Sequence, residues 1–141
     1  DLMADGRAAK FSFVMEAKSI ITSPSGTHKL TRNGMHEMRG IAWSGHGKIE
    51  HVDVSIDGGR NWKPAKLDVP VLTKALTSFR ALFEWNGEEL MIMSRATDET
   101  GYVQPTLAQL IALRGKFGTY HNNAIQPWRI SSSGEVTNGR A

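Results

Sequence analysis

The chain has 141 residues, 40% hydrophobic and 22% charged, which suits one globular domain with a sizeable core and argues against disorder throughout. Its formal charge of +3 comes from 17 Lys and Arg spread without a dense block, so no nucleic-acid surface is implied, although an acidic partner or anionic substrate is permitted. The absence of cysteine excludes a disulfide framework, a thiolate nucleophile and a thiolate-bound metal within this chain.

Taken in chain order, residues 1–10 read as a lead-in segment without the pattern of a signal peptide. No run reaches the roughly 18 apolar residues of a membrane span. Phe11, Phe13 and Met15 alternate with Ser12 and Val14, which predicts a strand. Ser23-Pro24-Ser25-Gly26 marks a turn, and a polar run from His28 to Glu37 leads to a short strand over Gly40–Gly45. Val52, Val54 and Ile56 then alternate with Asp53, Ser55 and Asp57, the pattern of a half-buried strand. Asp57-Gly58-Gly59 supplies residues that tolerate positive φ, and Trp62 is expected to open a second strand and fold its indole back as core.

Phe79, Ala81, Phe83 and Trp85 alternate with Arg80, Leu82 and Glu84; after Asn86-Gly87, Leu90, Ile92, Ser94 and Ala96 alternate back. That pattern predicts a second hairpin with a type I′ turn. A short helix is expected over Pro105–Leu113, with Leu107, Leu110 and Ile111 on one face, ending at Arg114 and a C-capping Gly115. Ile125–Ile130 reads as the last strand, with a frayed end from Ser131. Short strands with regular turns and at most one short helix predict an all-β, immunoglobulin-like (E-set) antiparallel β-sandwich over residues 11–132, with a tail at 133–141.

The residues offer little self-contained chemistry. His28, His36, His46, His51 and His121 lack ligand spacing, so no metal site is expected. Glu88-Glu89 and Asp98-Glu99 are adjacent carboxylates, which on a strand point to opposite faces and cannot flank one substrate; they read as solvated turn residues. No serine sits in a Gly-x-Ser-x-Gly elbow, no phosphate-cradling Gly-x-x-x-x-Gly-Lys loop exists, and the six methionines scatter as core filler. No catalytic residue is assigned.

A resemblance reaches further. Ala42-Trp43-Ser44-Gly45, the strand and turn ending at Trp62 with Ala65 and Leu67, and the run Arg95-Ala96-Thr97-Asp98-Glu99-Thr100-Gly101-Tyr102-Val103-Gln104-Pro105 resemble the C-terminal domain of the sulfite oxidase family. Leu113-Arg114-Gly115 and Asn123-Ala124 extend the likeness from about Phe11 to Ile130. Within the family, residues 11–19, 74–80 and 120–126 are most similar to the molybdenum subunit of sulfane dehydrogenases, the SoxC type.

The resemblance implies a dimerisation domain that follows a molybdopterin-binding domain, so the molybdenum cofactor is expected in a preceding domain and none in this chain. It implies an enzyme that oxidises sulfite or the sulfane sulfur of a carrier protein, passing electrons to haem on a c-type cytochrome subunit. A homodimer in the periplasm follows, with no nucleic-acid or membrane partner. It also implies that Arg114 binds the anionic substrate, from the edge of the domain in or next to a loop, with its head group unburied. A guanidinium suits that role because it stays charged and donates two parallel hydrogen bonds to an oxyanion. The segment Lys116–Asn122 is a few residues longer than in vertebrate sulfite oxidases, so Lys116, Tyr120 and His121 are expected to border a substrate entrance. The reading from another class is a non-catalytic immunoglobulin-like protein-binding module.

Overall fold

The computed structural model describes residues 16–68, 76–117 and 122–140, with the backbone alone for 113–117. The strand expected at Phe11–Met15 lies outside the described residues. The strands are β1 (Lys18–Ser23), β2 (Gly34–Trp43), β3 (Ile49–Ser55), β4 (Lys63–Pro64), β5 (Lys66–Leu67), β6 (Thr77–Trp85), β7 (Leu90–Asp98), β8 (Trp128–Ile130) and β9 (Val136–Asn138), with one helix, α1 (Leu107–Phe117), between β7 and β8. They form two sheets, β1-β2-β6-β5 and β4-β3-β7-β8-β9, whose strands pair antiparallel. β1-β2-β6-β5 against β4-β3-β7-β8 matches A-B-E-D against C′-C-F-G, the arrangement of an immunoglobulin-type sandwich, and β9 adds a fifth strand beyond β8.

Alternation explains the core. Met38, Ala42, Phe79 and Phe83 point inward from one sheet and Val52, Val54, Ile92 and Ala96 from the other, all buried. Gly40 lies where β2 passes Phe79: a Cβ there would run into the Phe79 ring and the Ile20 carbonyl. The strand expected at Gly40–Gly45 begins earlier, at Gly34, and ends at Trp43. Pairing with β6 from Gly34 to Ala42 draws the last four residues of the polar run into the sheet, and His36 stacks on Phe83 at 5.9 Å between ring centroids.

The first hairpin forms as expected, though its return strand β4 begins at Lys63 and pairs with only Asp53 and Val54. Its turn is built around the Asp57 carboxylate, which accepts from the Asn61 amide side chain (2.7 Å), the Asn61 and Arg60 backbone N–H groups (2.9 and 3.0 Å) and Ser55 Oγ (2.8 Å). These donors, Asn61 first, hold the carboxyl well below the usual carboxylate range. Trp62 is only half-buried. It lies on the outer face of β7, under the Arg95 guanidinium at 4.0 Å, and so is not the core residue expected.

The expected second hairpin is an arch. β6 and β7 belong to different sheets, and the chain crosses from one to the other through residues 86–89. Alternation shows which side chains face the interior, and both an arch and a hairpin satisfy it. The Trp85 indole closes the crossing by donating to the Glu88 carbonyl at 2.8 Å, with Gly87 at φ 89°.

Residues 131–140 are paired into the fold rather than frayed. Ser131 N–H donates to the Glu135 carbonyl (2.9 Å) across a turn carrying Gly134 at φ 90°, and Leu30 N–H donates to the Gly134 carbonyl (2.8 Å). The chain then runs on as β9, beside β8. Among the described residues no helix is long and apolar enough to cross a membrane.

Candidate functional site

Between Gln104 and Asn123 lies α1, and the residues at its base form a buried, hydrogen-bonded polar cluster. Construction starts at Asp98, the last residue of β7, which is fully buried rather than a solvated turn residue. Its carboxylate accepts from Thr100 Oγ1 (2.5 Å), Thr100 N–H (2.9 Å), Tyr102 N–H (3.3 Å) and Ser44 Oγ (2.7 Å). Burial presses its pKa upward, but the donors from Thr100, Ser44 and Tyr102 outweigh that and the carboxyl titrates below its ordinary value. The turn 98–102 is thereby rigid, with Gly101 supplying φ 89°.

Gln104 follows, 1% exposed. Its Oε1 accepts from Ser19 N–H (3.1 Å), Ser19 Oγ (2.7 Å) and Ala96 N–H (3.2 Å), and its Nε2 donates to the Asn123 carbonyl (2.9 Å). Asn123, also buried, donates from Nδ2 to the Ala17 carbonyl (3.0 Å) and the Tyr102 hydroxyl (3.1 Å). Ile125 N–H reaches the Pro105 carbonyl at 2.8 Å. On the far side Arg140 Nη2 donates to the carbonyls of Ala124 (3.0 Å) and Ile125 (2.5 Å), and burial lowers the pKa of its guanidinium. Both ends of the excursion are therefore tied to β1, β7 and each other.

The helix on this base starts later and runs longer than Pro105–Leu113. Thr106 Oγ1 accepts from Gln109 N–H (3.1 Å) while Gln109 Oε1 accepts from Thr106 N–H (2.9 Å), a reciprocal capping box that leaves Pro105 outside the helix. Leu110 is buried and Leu107 half-buried, but Ile111 is 53% exposed, so the apolar face is narrower than expected. The helix continues through Gly115 to Phe117, so that glycine is not the C-cap.

Arg114 and Lys116 thus have helical backbone, not loop, and their side chains lie outside the described residues. Tyr120 and His121 also lie outside them. Beside the N-terminal end of α1 is a cleft of 410 Å³, lined by Gly59, Trp62, Met93, Arg95, Thr106 and Gln109. The remaining expected groups stay apart. His28 accepts from Ser25 N–H (2.8 Å), His36 lies 2.8 Å from the Arg32 carbonyl, His46 faces Glu16 at 3.3 Å and His51 faces Asp53 at 3.8 Å. Glu88 accepts from Asn86 N–H and Glu89 meets Arg129 at 3.2 Å. Among the described residues no three His, Asp or Glu side chains converge as a metal site.

Sequence reasoning missed Gln104, Asn123 and the burial of Asp98. Their one local signal is a polar residue at each end of the helical excursion, and nothing in that signal separates a buried clamp from a solvated loop.

The family model of the Mo-co oxidoreductase dimerisation domain matches residues 9–128. Among curated proteins, human mitochondrial sulfite oxidase is 35% identical over 109 residues, which is 72% of this chain and 20% of that protein. Chicken sulfite oxidase is 39% identical over 89 residues, 58% of this chain and 19% of that protein. An NADH nitrate reductase of rice is 39% identical over 62 residues, covering 40% of this chain and 7% of the relative. Among solved structures, the sulfane dehydrogenase SoxCD from Paracoccus pantotrophus superposes with a TM-score of 0.82 at 50% identity, covering 88% of this chain and 32% of that one. The chain spans about a fifth of the length of the sulfite oxidases it matches.

Proposed function

Because this chain belongs to the Mo-co oxidoreductase dimerisation domain family, we propose that it is the C-terminal dimerisation and substrate-lining domain of a molybdenum enzyme that oxidises sulfite or protein-bound sulfane sulfur. The 50% identity to SoxCD, against 35% to human sulfite oxidase, favours the sulfane substrate. The same likeness supports a homodimer, a c-type cytochrome subunit as electron acceptor and a periplasmic site of action.

The residues of this chain do not fit the molybdenum cofactor itself: cysteine is absent from the sequence, and no three ligating side chains converge among the described residues. The cofactor is therefore assigned to a separate domain of the full-length enzyme, and this domain's part is to hold an anion-binding group. The observation that carries the reading is the double tie at the base of α1, where Gln104 and Asn123 fix both ends of the segment bearing Arg114. A guanidinium stays charged and donates two parallel hydrogen bonds to an oxyanion, and its fork orients the anion as a point charge cannot.

Steady-state oxidation of sulfite and of the carrier-bound substrate by the full-length enzyme tests this. Arg114→Ala should lower kcat/KM about ten- to a hundredfold, the loss of a hydrogen bond to a charged group worth roughly 1.5 to 3 kcal/mol. The melting temperature should not change. Arg114→Lys should recover only part of the loss. Unchanged kinetics, or a loss matched by unfolding, would leave dimerisation as the domain's only role.

A further inference from the structure

We infer that the open edge of β6 receives an extended segment of a partner protein, which continues the line of β5 as an added strand and carries cationic side chains toward Glu84 and Glu88. β2 pairs with β6 along one edge from Thr77 to Trp85, but on the other edge β5 pairs only with Phe79 and Arg80. On that second edge Asp68 N–H donates to the Ser78 carbonyl at 2.9 Å, and ladder groups alternate, so the N–H and C=O of Leu82 and Glu84 point the same way. Among the described residues no strand meets them. Nothing within Ala81–Trp85 blunts the edge as a proline or lysine would. β4 stops equally short on β3, pairing with Asp53 and Val54 alone. Between the two shortened edges lies a hollow of 610 Å³, whose lining includes Val54, Ile56, Phe83 and the exposed Leu82 and Met35.

Backbone pairing fixes the form of the occupant, and charge fixes its composition. A strand antiparallel to β6 sends alternate side chains inward, toward Val54, Ile56 and Phe83, where large apolar residues fit, and the others outward beside Leu82 and Glu84. Three carboxylates, Asp57, Glu84 and Glu88, line this hollow against one cation, Lys63. Their present donors are neutral: Asn61 and Ser55 for Asp57, Asn86 Nδ2 for Glu84 at 3.1 Å, and Asn86 N–H for Glu88 at 2.6 Å. Among the described residues no cationic nitrogen lies within 4 Å of any of the three. Lysines on an incoming strand would therefore add charge pairs without displacing one. Toward β5 the sign reverses, since Lys63, Lys66 and Arg80 line a second hollow, of 400 Å³, against Glu37. An antiparallel strand ends there, so a carboxylate suits its last position. A second copy of this chain does not meet these terms. β5 covers Arg80 in each copy, so two β6 edges could pair only over Ala81–Trp85, which sets each Glu84 against the other copy's Leu82 and brings it no cation.

The test titrates full-length protein with the N-acetylated peptide Lys-Leu-Lys-Leu-Thr-Leu-Asp, its carboxyl end free, by calorimetry, and follows backbone hydrogen exchange at saturation. Exchange of the Leu82 and Glu84 N–H groups should slow about tenfold or more, while Phe83 N–H, on the edge already paired with β2, should change little. Methylating the peptide nitrogen that faces Leu82 should weaken binding about tenfold or more, a loss that owes nothing to the folding of a protein variant. The charge reversal E84K/E88K, with melting curves to confirm folding, should weaken the lysine peptide about tenfold or more, and a peptide with glutamate in place of both lysines should recover affinity for that variant to within about threefold. No binding at about millimolar peptide, or binding without slowed exchange at Leu82 and Glu84, would overturn the edge as a docking site. Equal affinity of wild type for the lysine and glutamate peptides would overturn the charge assignment. Slowed exchange at the same two groups on raising protein concentration without peptide would show a second copy there and overturn the partner segment.

Discussion

Replacing Gln104 with alanine removes a side chain that joins β1, β7 and the returning end of the α1 excursion. Three buried backbone groups lose their partners in this contact: the N–H groups of Ser19 and Ala96, and the Asn123 carbonyl. Ser19 Oγ keeps its contact with Ser94 Oγ at 2.8 Å. An unsatisfied buried donor or acceptor costs about 1 to 3 kcal/mol, and water entering the space left by the side chain recovers part of that, so the net loss should be roughly 3 to 5 kcal/mol. For a domain of this size that is a fall in Tm of about 10 to 20 °C. Gln104→Glu makes a sharper test. It keeps the oxygen that accepts from Ser19 and Ala96 but sets an oxygen against the Asn123 carbonyl, so it should lose less than alanine does while still loosening the return of the excursion. Urea and thermal melts of wild type, Gln104→Ala, Gln104→Glu and Asn123→Ala, with the Gln104/Asn123 double variant, give the coupling between the two residues, which should be clearly sub-additive. Gln104→Ala within about 1 kcal/mol of wild type, or strict additivity with Asn123→Ala, would refute the clamp.

Trp62→Ala should cost only about 1 to 2 kcal/mol, because the indole is half-buried and its main specific contact is a cation–π stack with a partly exposed Arg95; a loss of 4 kcal/mol in denaturant melts would show that it is core after all. Asp98→Asn should destabilise by roughly 2 kcal/mol near neutral pH, since an amide cannot accept at both oxygen positions. The Asp98 pKa is lowered in the folded state, so its contribution is fully present above the ordinary aspartate value near 4 and is lost as pH falls through the folded value. The stability gap between wild type and Asp98→Asn should therefore close on acidification, and a gap constant from about pH 7 to 3 would refute the role of the charge.

Much of the sandwich was legible in local pattern. Val52, Val54 and Ile56 marked β3, the alternation from Phe79 to Trp85 marked β6, and Asp57-Gly58-Gly59 marked a turn, because side-chain period and positive φ are properties of a few neighbouring residues. What each strand pairs with was not legible. β6 and β7 have complementary apolar faces across a short connection, and only pairing with the other strands, β2 and β5 on the edges of β6 and β3 and β8 on the edges of β7, decides between arch and hairpin.

The same limit governs the site. The Leu113-Arg114-Gly115 motif and the run from Arg95 to Pro105 disclosed the family through residue identity alone, and the family model matched. That Asp98 and Gln104 are buried, and that Gln104 meets Asn123 and Ser19, follows from contacts between residues 19 and 85 positions apart, which no local window contains. Sequence by itself marked β3, β6, the turn at Asp57 and the family; tertiary structure alone decided strand partners, the full extent of β2, the strand β9 and which polar groups lie inside, because a buried hydrogen bond exists only once distant segments exclude water together.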